Sequence, residues 1–386
     1  MDLPDEGLPE EELGRRIGEA RQKDTPFLSG HVLGSMCTAP HPAGLQAWQV
    51  FADANLGDPL INPGAAELED EVVDVLCSIA GGGPEADGLF VSGGTEANVT
   101  ALRLARDRTG RDEVVMPETA HFSFEKAAHA LGLTVTRTPV TDGFAADVEA
   151  MNEAVTEDTA CVVGVAGNTE FGAVDDIPAI AEIGDEVGAW THVDAAYGGF
   201  VLPFLPDGDP FGLDVDGVDS VTIDPHKMGR APVPAGGLLV DHEDKLSPGA
   251  TETPYVSTDE QAGLLSTRPG AAAAGAWASM HALGQDGYQT QARAAVEVAE
   301  WFAGVLENKG ASLARDPSLG ILAIEVEHNE QVRAQLAERG WKVSLTTLVP
   351  GIRIVCMPHV TAERLTEFAR ELPNRLEVDD GRILRA

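Results

Sequence analysis

Val91-Ser92-Gly93-Gly94-Thr95-Glu96-Ala97-Asn98 leaves an apolar strand, Gly88-Leu89-Phe90-Val91, crosses small residues and enters a helical pattern over 96–108. A strand–turn–helix of this kind aims free backbone N–H groups and the positive helix end at an anion, most often phosphate. Ser92 and Thr95 add hydroxyl donors. A helix cap with nothing bound, supplied by either of them, is the alternative. Upstream, 65–79 carries an apolar stripe at helical spacing (Leu68, Val72, Val75, Leu76, Ile79). Downstream, apolar runs at 113–116, 134–136, 160–165, 190–193, 220–223 and 237–240 alternate with helical patterns at 122–131, 145–155 and 177–187. That alternation predicts an α/β fold: βα units around a mostly parallel sheet.

Two more segments sit at strand ends of this layer. His192-Val193-Asp194-Ala195-Ala196-Tyr197-Gly198-Gly199 places a carboxylate just past an apolar strand, where open α/β sheets bind ligands. Such a carboxylate can hold a protonated pyridine nitrogen, coordinate a metal or cap a turn. The small residues after it, Ala196 among them, let a flat ring approach the sheet. Asp224-Pro225-His226-Lys227 follows the strand at 220–223. Lysine otherwise occurs only at Lys23, Lys126, Lys245, Lys309 and Lys342, so this one stands out beside its histidine. A lysine in such a place can lose its proton through desolvation and attack a carbonyl. A surface lysine after a turn is the plainer reading.

Phosphate loop, strand-end Asp and strand-end Lys, in that order, resemble the fold-type I pyridoxal-phosphate enzymes, and more narrowly the group II amino-acid decarboxylases. The likeness runs from Ser35-Met36-Cys37-Thr38 to Met357-Pro358-His359-Val360-Thr361 and looks closest to the short archaeal branch of L-tyrosine/L-aspartate decarboxylases. The resemblance implies an aspartate-aminotransferase-like large domain followed by a smaller α+β domain. It implies that Lys227 forms the Schiff base with pyridoxal 5'-phosphate and later returns a proton to the product carbanion, while Asp194 pairs with the pyridinium nitrogen. His121, in Thr119-Ala120-His121-Phe122-Ser123, would stack on the ring face opposite the substrate. Gly93, Gly94 and Thr95 would bind the phosphate with His226 beside it. Asn168 and Thr169 would line the hydroxyl side, although many relatives have Ser or Thr where this chain has Asn168.

Arg353 is the one charge in the apolar run Gly351-Ile352-Arg353-Ile354-Val355. Its fork suits two hydrogen bonds to a substrate carboxylate, and a structural ion pair is the alternative. Thr253-Pro254-Tyr255 and Ser266-Thr267-Arg268-Pro269-Gly270 also match the archaeal branch, where Thr267's loop is expected at the neighbouring subunit's cofactor, implying a homodimer with shared sites. The implied reaction is decarboxylation of an L-amino acid: aspartate to β-alanine for coenzyme A synthesis first, tyrosine second, glutamate third. A carbon–carbon lyase and a catalytically silent cofactor-binding protein are the rivals.

The 386 residues carry 63 acidic against 26 basic side chains, a formal net charge of -37. The carboxylates are spread along the whole length, which points to a protein kept soluble in concentrated salt, as in the cytoplasm of an extreme halophile. Nucleic acid and anionic membranes are unsuited partners for such a surface. No apolar run reaches the length of a membrane span, and Met1-Asp2-Leu3-Pro4-Asp5-Glu6 lacks the features of a secretion signal. Cys37, Cys77, Cys161 and Cys356 show no metal-ligand spacing, so free buried thiols are expected and a structural metal is not. The expected layout is an N-terminal segment and loops (1–64) partly at the dimer interface, a cofactor domain (65–270) and a small domain (271–386). Within the first part, 11–21 reads as helix and 28–64 as loops. In the last, helices are expected at 271–283, 288–309, 331–339 and 362–371, with strands at 321–326 and 352–356.

Overall fold

The computed structural model describes residues 3–372 together with the backbone of Val378–Asp379 and Arg382–Ile383. Seven strands build the central sheet: β1 (Asp87–Val91), β2 (Glu113–Pro117), β3 (Thr134–Thr138), β4 (Thr159–Val165), β5 (Trp190–Asp194), β6 (Ser220–Ile223) and β7 (Gly236–Val240). Their order is β1-β7-β6-β5-β4-β2-β3. Strands β2 to β6 run parallel, and β7 is antiparallel to both of its neighbours. Every residue of β4 and β5 is buried, which is why β4 reads as a continuous apolar run rather than an alternating one.

The helices are α1 (Glu10–Arg21), α2 (Pro42–Val50), α3 (Pro63–Ile79), α4 (Gly94–Thr109), α5 (Ser123–Leu131), α6 (Val148–Ala154), α7 (Ile177–Val187), α8 (Gly270–Asn308), α9 (Asn329–Glu338) and α10 (Ala362–Glu371). Cys161, Val163 and Val165 of β4 share a core cluster with Ala97, Ala101 and Leu104 of α4 and Phe124 of α5. Val162, between them, faces the other way and packs with Ile180 of α7 and Met151 of α6. Helices therefore cover both faces of the sheet. A second, antiparallel sheet of β8 (Ile321–Glu325), β9 (Ser344–Thr346) and β10 (Gly351–Val355), ordered β8-β10-β9, carries α9, while α10 packs on α8.

Three elements differ from the sequence reading. Helix α2 lies inside the stretch expected to be loop, because only Gly44 of it is buried and no apolar stripe announces it. What holds it is backbone contact: a Cβ on Gly44 would lie 2.2 Å from Ser279 Oγ and 2.8 Å from the Gly275 carbonyl of α8. Strand β9 is three residues long, too short for a period to show. Helix α4 starts at Gly94, so Gly94 and Thr95 form its first turn instead of preceding it. The long α8 breaks at Gly284 (φ 59, ψ -177), giving the two helices expected from the pattern.

Candidate active site

The carboxyl ends of β4, β5 and β6 open beside the N-terminus of α4, and a cavity of about 390 Å³ lies there. Lys227, Asp194, His121, His226, Gly93, Gly94, Thr95, Thr169 and Ala196 all line it, so the ordered motifs converge on one place. Gly93 (φ 143) makes the turn from β1 into α4, and a Cβ there would press on the His226 ring at 2.8 Å. The first turn of α4 leaves backbone N–H groups without helical partners. Just ahead of that turn, Ser92 N donates to Glu96 Oε2 at 2.8 Å.

Asp194 is buried at the end of β5, where Asn98 Nδ2 donates to Oδ2 at 2.9 Å and Ala196 N to Oδ1 at 3.1 Å. Lys227 Nζ lies 3.0 Å from Asp224 Oδ2, whose carboxyl is buried and whose Oδ1 has no protein partner. Burial pulls the Lys227 ammonium down, but the carboxylates of Asp224 and Asp194 outweigh it and hold the amine above the ordinary lysine range. Desolvation pulls toward the free amine, as the sequence reading supposes, but the motif's own aspartate works against it. His121 is lowered by burial, against the opposing pull of Asp194. Its Nδ1 faces Ser123 Oγ at 2.9 Å.

Two residues expected at this chain's cavity, Asn168 and Arg353, stand outside its lining. Asn168 spends both ends of its amide on backbone: Oδ1 accepts from Phe171 N at 2.9 Å and Nδ2 donates to Phe144 O at 2.9 Å. It shapes the turn that presents Thr169 and does not line the cavity. Arg353 sits one layer behind Thr169, with Nη1 donating to Thr169 O and Nη2 to Gly34 O, each at 2.6 Å. It pins three segments together, and among the described residues it makes no ion pair and its buried Nε has no partner. Thr267 is exposed on the loop before α8, away from this chain's cavity.

Residues that the sequence reading left without a role complete the wall. Asn98 lies in the opening motif and is a poor helix-interior residue, which is the signal that it does something else. Thr119 Oγ1 is buried, lines the cavity and has no partner. Met36 and Tyr197 also line the cavity, and Tyr197 OH donates to Leu319 O at 2.9 Å.

An amine able to take an aldehyde, set near a carboxylate suited to a pyridinium nitrogen and a helix end suited to phosphate, meets what a fold-type I pyridoxal-phosphate enzyme requires. Unpartnered Thr119 Oγ1 and Asp224 Oδ1 at the cavity wall fit such an occupant, since buried polar atoms seek partners. Residues 52–324 match the pyridoxal-dependent decarboxylase conserved domain, and the chain belongs to that family. It is thus a carboxy-lyase that uses pyridoxal phosphate. A protein of Halobacterium salinarum named probable L-aspartate decarboxylase is 47% identical, covering 91% of this chain and 97% of that one. The L-aspartate decarboxylase of Thermococcus kodakarensis is 42% identical over 96% and 98%, and a probable L-tyrosine/L-aspartate decarboxylase of Methanothrix thermoacetophila 41% over 97% of each. Among solved structures, a sphingosine-1-phosphate lyase of Burkholderia pseudomallei superposes with TM-score 0.87 at 25% identity, covering 96% of this chain and 92% of that one. A glutamate decarboxylase of Lactobacillus brevis shares the fold with TM-score 0.84 at 20% identity, covering 96% and 94%.

Proposed function

We propose that this chain removes the α-carboxylate of L-aspartate to yield β-alanine. The observation that carries the reaction is the meeting of Lys227, Asp194 and His121 on one cavity beside the α4 N-terminus. Aspartate is favoured because relatives at 40–47% identity bear that name. Tyrosine is the second reading, motivated by the name of the Methanothrix relative, and glutamate the third.

Pyridoxal phosphate supplies an electron sink for the carbanion left when a bond at the substrate Cα breaks. Gly94 and Thr95 at the α4 N-terminus, with His226 beside them, would take its phosphate. Asp194 would hold the ring nitrogen's proton and His121 would cover one ring face, with Ala196 and Thr169 close to the ring. Lys227 would anchor the aldehyde carbon and, once released, hand a proton to the substrate Cα; Asp224 keeps that amine charged for the transfer. Arg353, set behind Thr169, would act on the substrate side only indirectly, by holding the Thr169 and Gly34 carbonyls in place.

The assembly is proposed to be a homodimer with shared sites. Supporting this, Tyr255 is 88% exposed, Thr267 is exposed, and α1 presents Leu13 and Ile17 to solvent with no buried residue of its own. The proposed division is 1–64 at the dimer face, 65–270 as cofactor domain and 271–386 as small domain. A halophilic, cytoplasmic setting and a supply of β-alanine for coenzyme A synthesis complete the reading. Release of CO2 from aspartate, tyrosine and glutamate, measured in molar salt, tests it: aspartate is expected to lead, and release from tyrosine alone overturns the choice. Aldehyde released from a phosphorylated amino alcohol without CO2 would replace decarboxylation by carbon–carbon cleavage.

A further inference from the structure

Below the cavity lies a chain of buried polar side chains whose donors and acceptors can be assigned one by one. Asn98, 1% exposed, uses all four of its hydrogen-bonding positions. Its Nδ2 donates to Asp194 Oδ2 at 2.9 Å and to Ser123 Oγ at 3.0 Å. Its Oδ1 accepts from Thr222 Oγ1 at 2.8 Å and faces His192 Nε2 at 3.2 Å. The reverse amide orientation would set oxygen against the Asp194 carboxylate, so this one is required.

The consequences propagate. An amide oxygen only accepts, so His192 carries its proton on Nε2 and its Nδ1 accepts from Ser220 Oγ at 2.8 Å. Ser220 Oγ in turn accepts from Trp190 Nε1 at 2.7 Å, closing that end. At the other end, Ser123 Oγ accepts from Asn98, which frees its single proton for His121 Nδ1 at 2.9 Å. The Ser123 backbone N–H points at the same nitrogen at 3.2 Å and can only donate. His121 Nδ1 is therefore an acceptor, and the ring proton resides on Nε2.

We propose that Asn98 and Ser123 are positioning residues: one buried amide clamps Asp194 and, through Ser123, locks His121 in the Nε2–H tautomer, so the ring-nitrogen carboxylate and the stacking imidazole are set as one unit. The proposal rests on the site reading given under Proposed function and assigns what orients its two key groups. Outer partners of this sort fix ring orientation and proton position, and their loss typically lowers affinity or rate about 10- to 100-fold.

The test begins with the cofactor-free chain labelled with ¹⁵N-histidine, the His121 signals being assigned by their loss in His121→Gln. Wild type should show Nδ1 as the unprotonated nitrogen; Ser123→Ala, left with only the longer backbone contact at 3.2 Å, should admit a measurable Nδ1–H population, and Ser123→Thr should restore the wild-type pattern. In the loaded enzyme Ser123→Ala should lower kcat about tenfold with KM changed less than about threefold, again rescued by Ser123→Thr. Asn98→Ala should weaken pyridoxal-phosphate affinity about tenfold or more and shift the visible absorbance band. A protonated Nδ1 in wild type, or a Ser123→Ala enzyme equal to wild type in tautomer and kcat, overturns the proposal. Should Asn98→Ala fail to fold, the two Ser123 variants still decide it. The tautomer measurement needs no cofactor, so its failure is distinct from failure of the site reading, which a visible band persisting in Lys227→Ala would signal.

Discussion

At 3.0 Å from the Asp224 carboxylate, the Lys227 amine is held in its charged form, although burial pulls the other way. Two like carboxylates, Asp224 and Asp194, share one cation, and the Coulomb sum exceeds the desolvation cost. A lysine whose folded pKa is raised contributes stability below its ordinary value of 10.5 and loses it as pH rises through the folded value. In the cofactor-free chain, Asp224→Asn should therefore cost about 1–3 kcal/mol near neutrality, with the gap to wild type closing above pH 10.5. Thermal midpoints across pH read this directly; a gap that widened in alkali would contradict the pairing. In the loaded enzyme, Lys227→Ala should abolish the visible absorbance band. Lys227 and Asp194 stood out in the sequence because chemistry-bearing residues at strand ends have few structural uses, whereas His121 was found only through the family resemblance. Asn168 and Arg353 were not placed correctly, since their orientation depends on carbonyls of Phe144, Gly34 and Thr169 that meet them only in the fold.

Among the elements, α4 shows how a short sequence does two jobs. Its first turn faces the cavity while Ala97, Ala101, Leu104 and Ala105 bury against the sheet, so the anion-binding end is held by core packing. Strand β4 was legible because complete burial leaves a nearly unbroken apolar run. Helix α2 was not, because its attachment is one glycine fitted against another helix. Gly44→Ala should destabilise by about 1–3 kcal/mol through overpacking on Ser279 and Gly275. Gly14→Ala in α1, where a Cβ would meet nothing within 4 Å, should be stabilising by about 0.5–1 kcal/mol. Denaturant midpoints of the two variants make the comparison, and equal effects would refute the packing argument.

Over the whole molecule, the charge of -37 sets the solution behaviour. Self-repulsion on that scale is weakened when the Debye length falls to about 3 Å at 1 M salt. The thermal midpoint should rise steadily from low to molar salt; a midpoint that is highest at low salt would remove the halophile reading.

The resemblance carried by the three ordered motifs supplied the cofactor and the family, while composition and periodicity were enough by themselves to establish the α/β class and the strand-end positions. These follow from short-range rules: apolar runs make strands, small residues turn into helix ends, and a lysine or aspartate at a strand end faces the ligand crevice. Only the tertiary structure decided which way each polar side chain points. It opposed Asp224 to Lys227, turned Asn168 and Arg353 to backbone carbonyls, and put Asn98 between Asp194 and Ser123. Hydrogen bonds join residues far apart in the chain, and neither end of such a bond is visible in the residues next to the other.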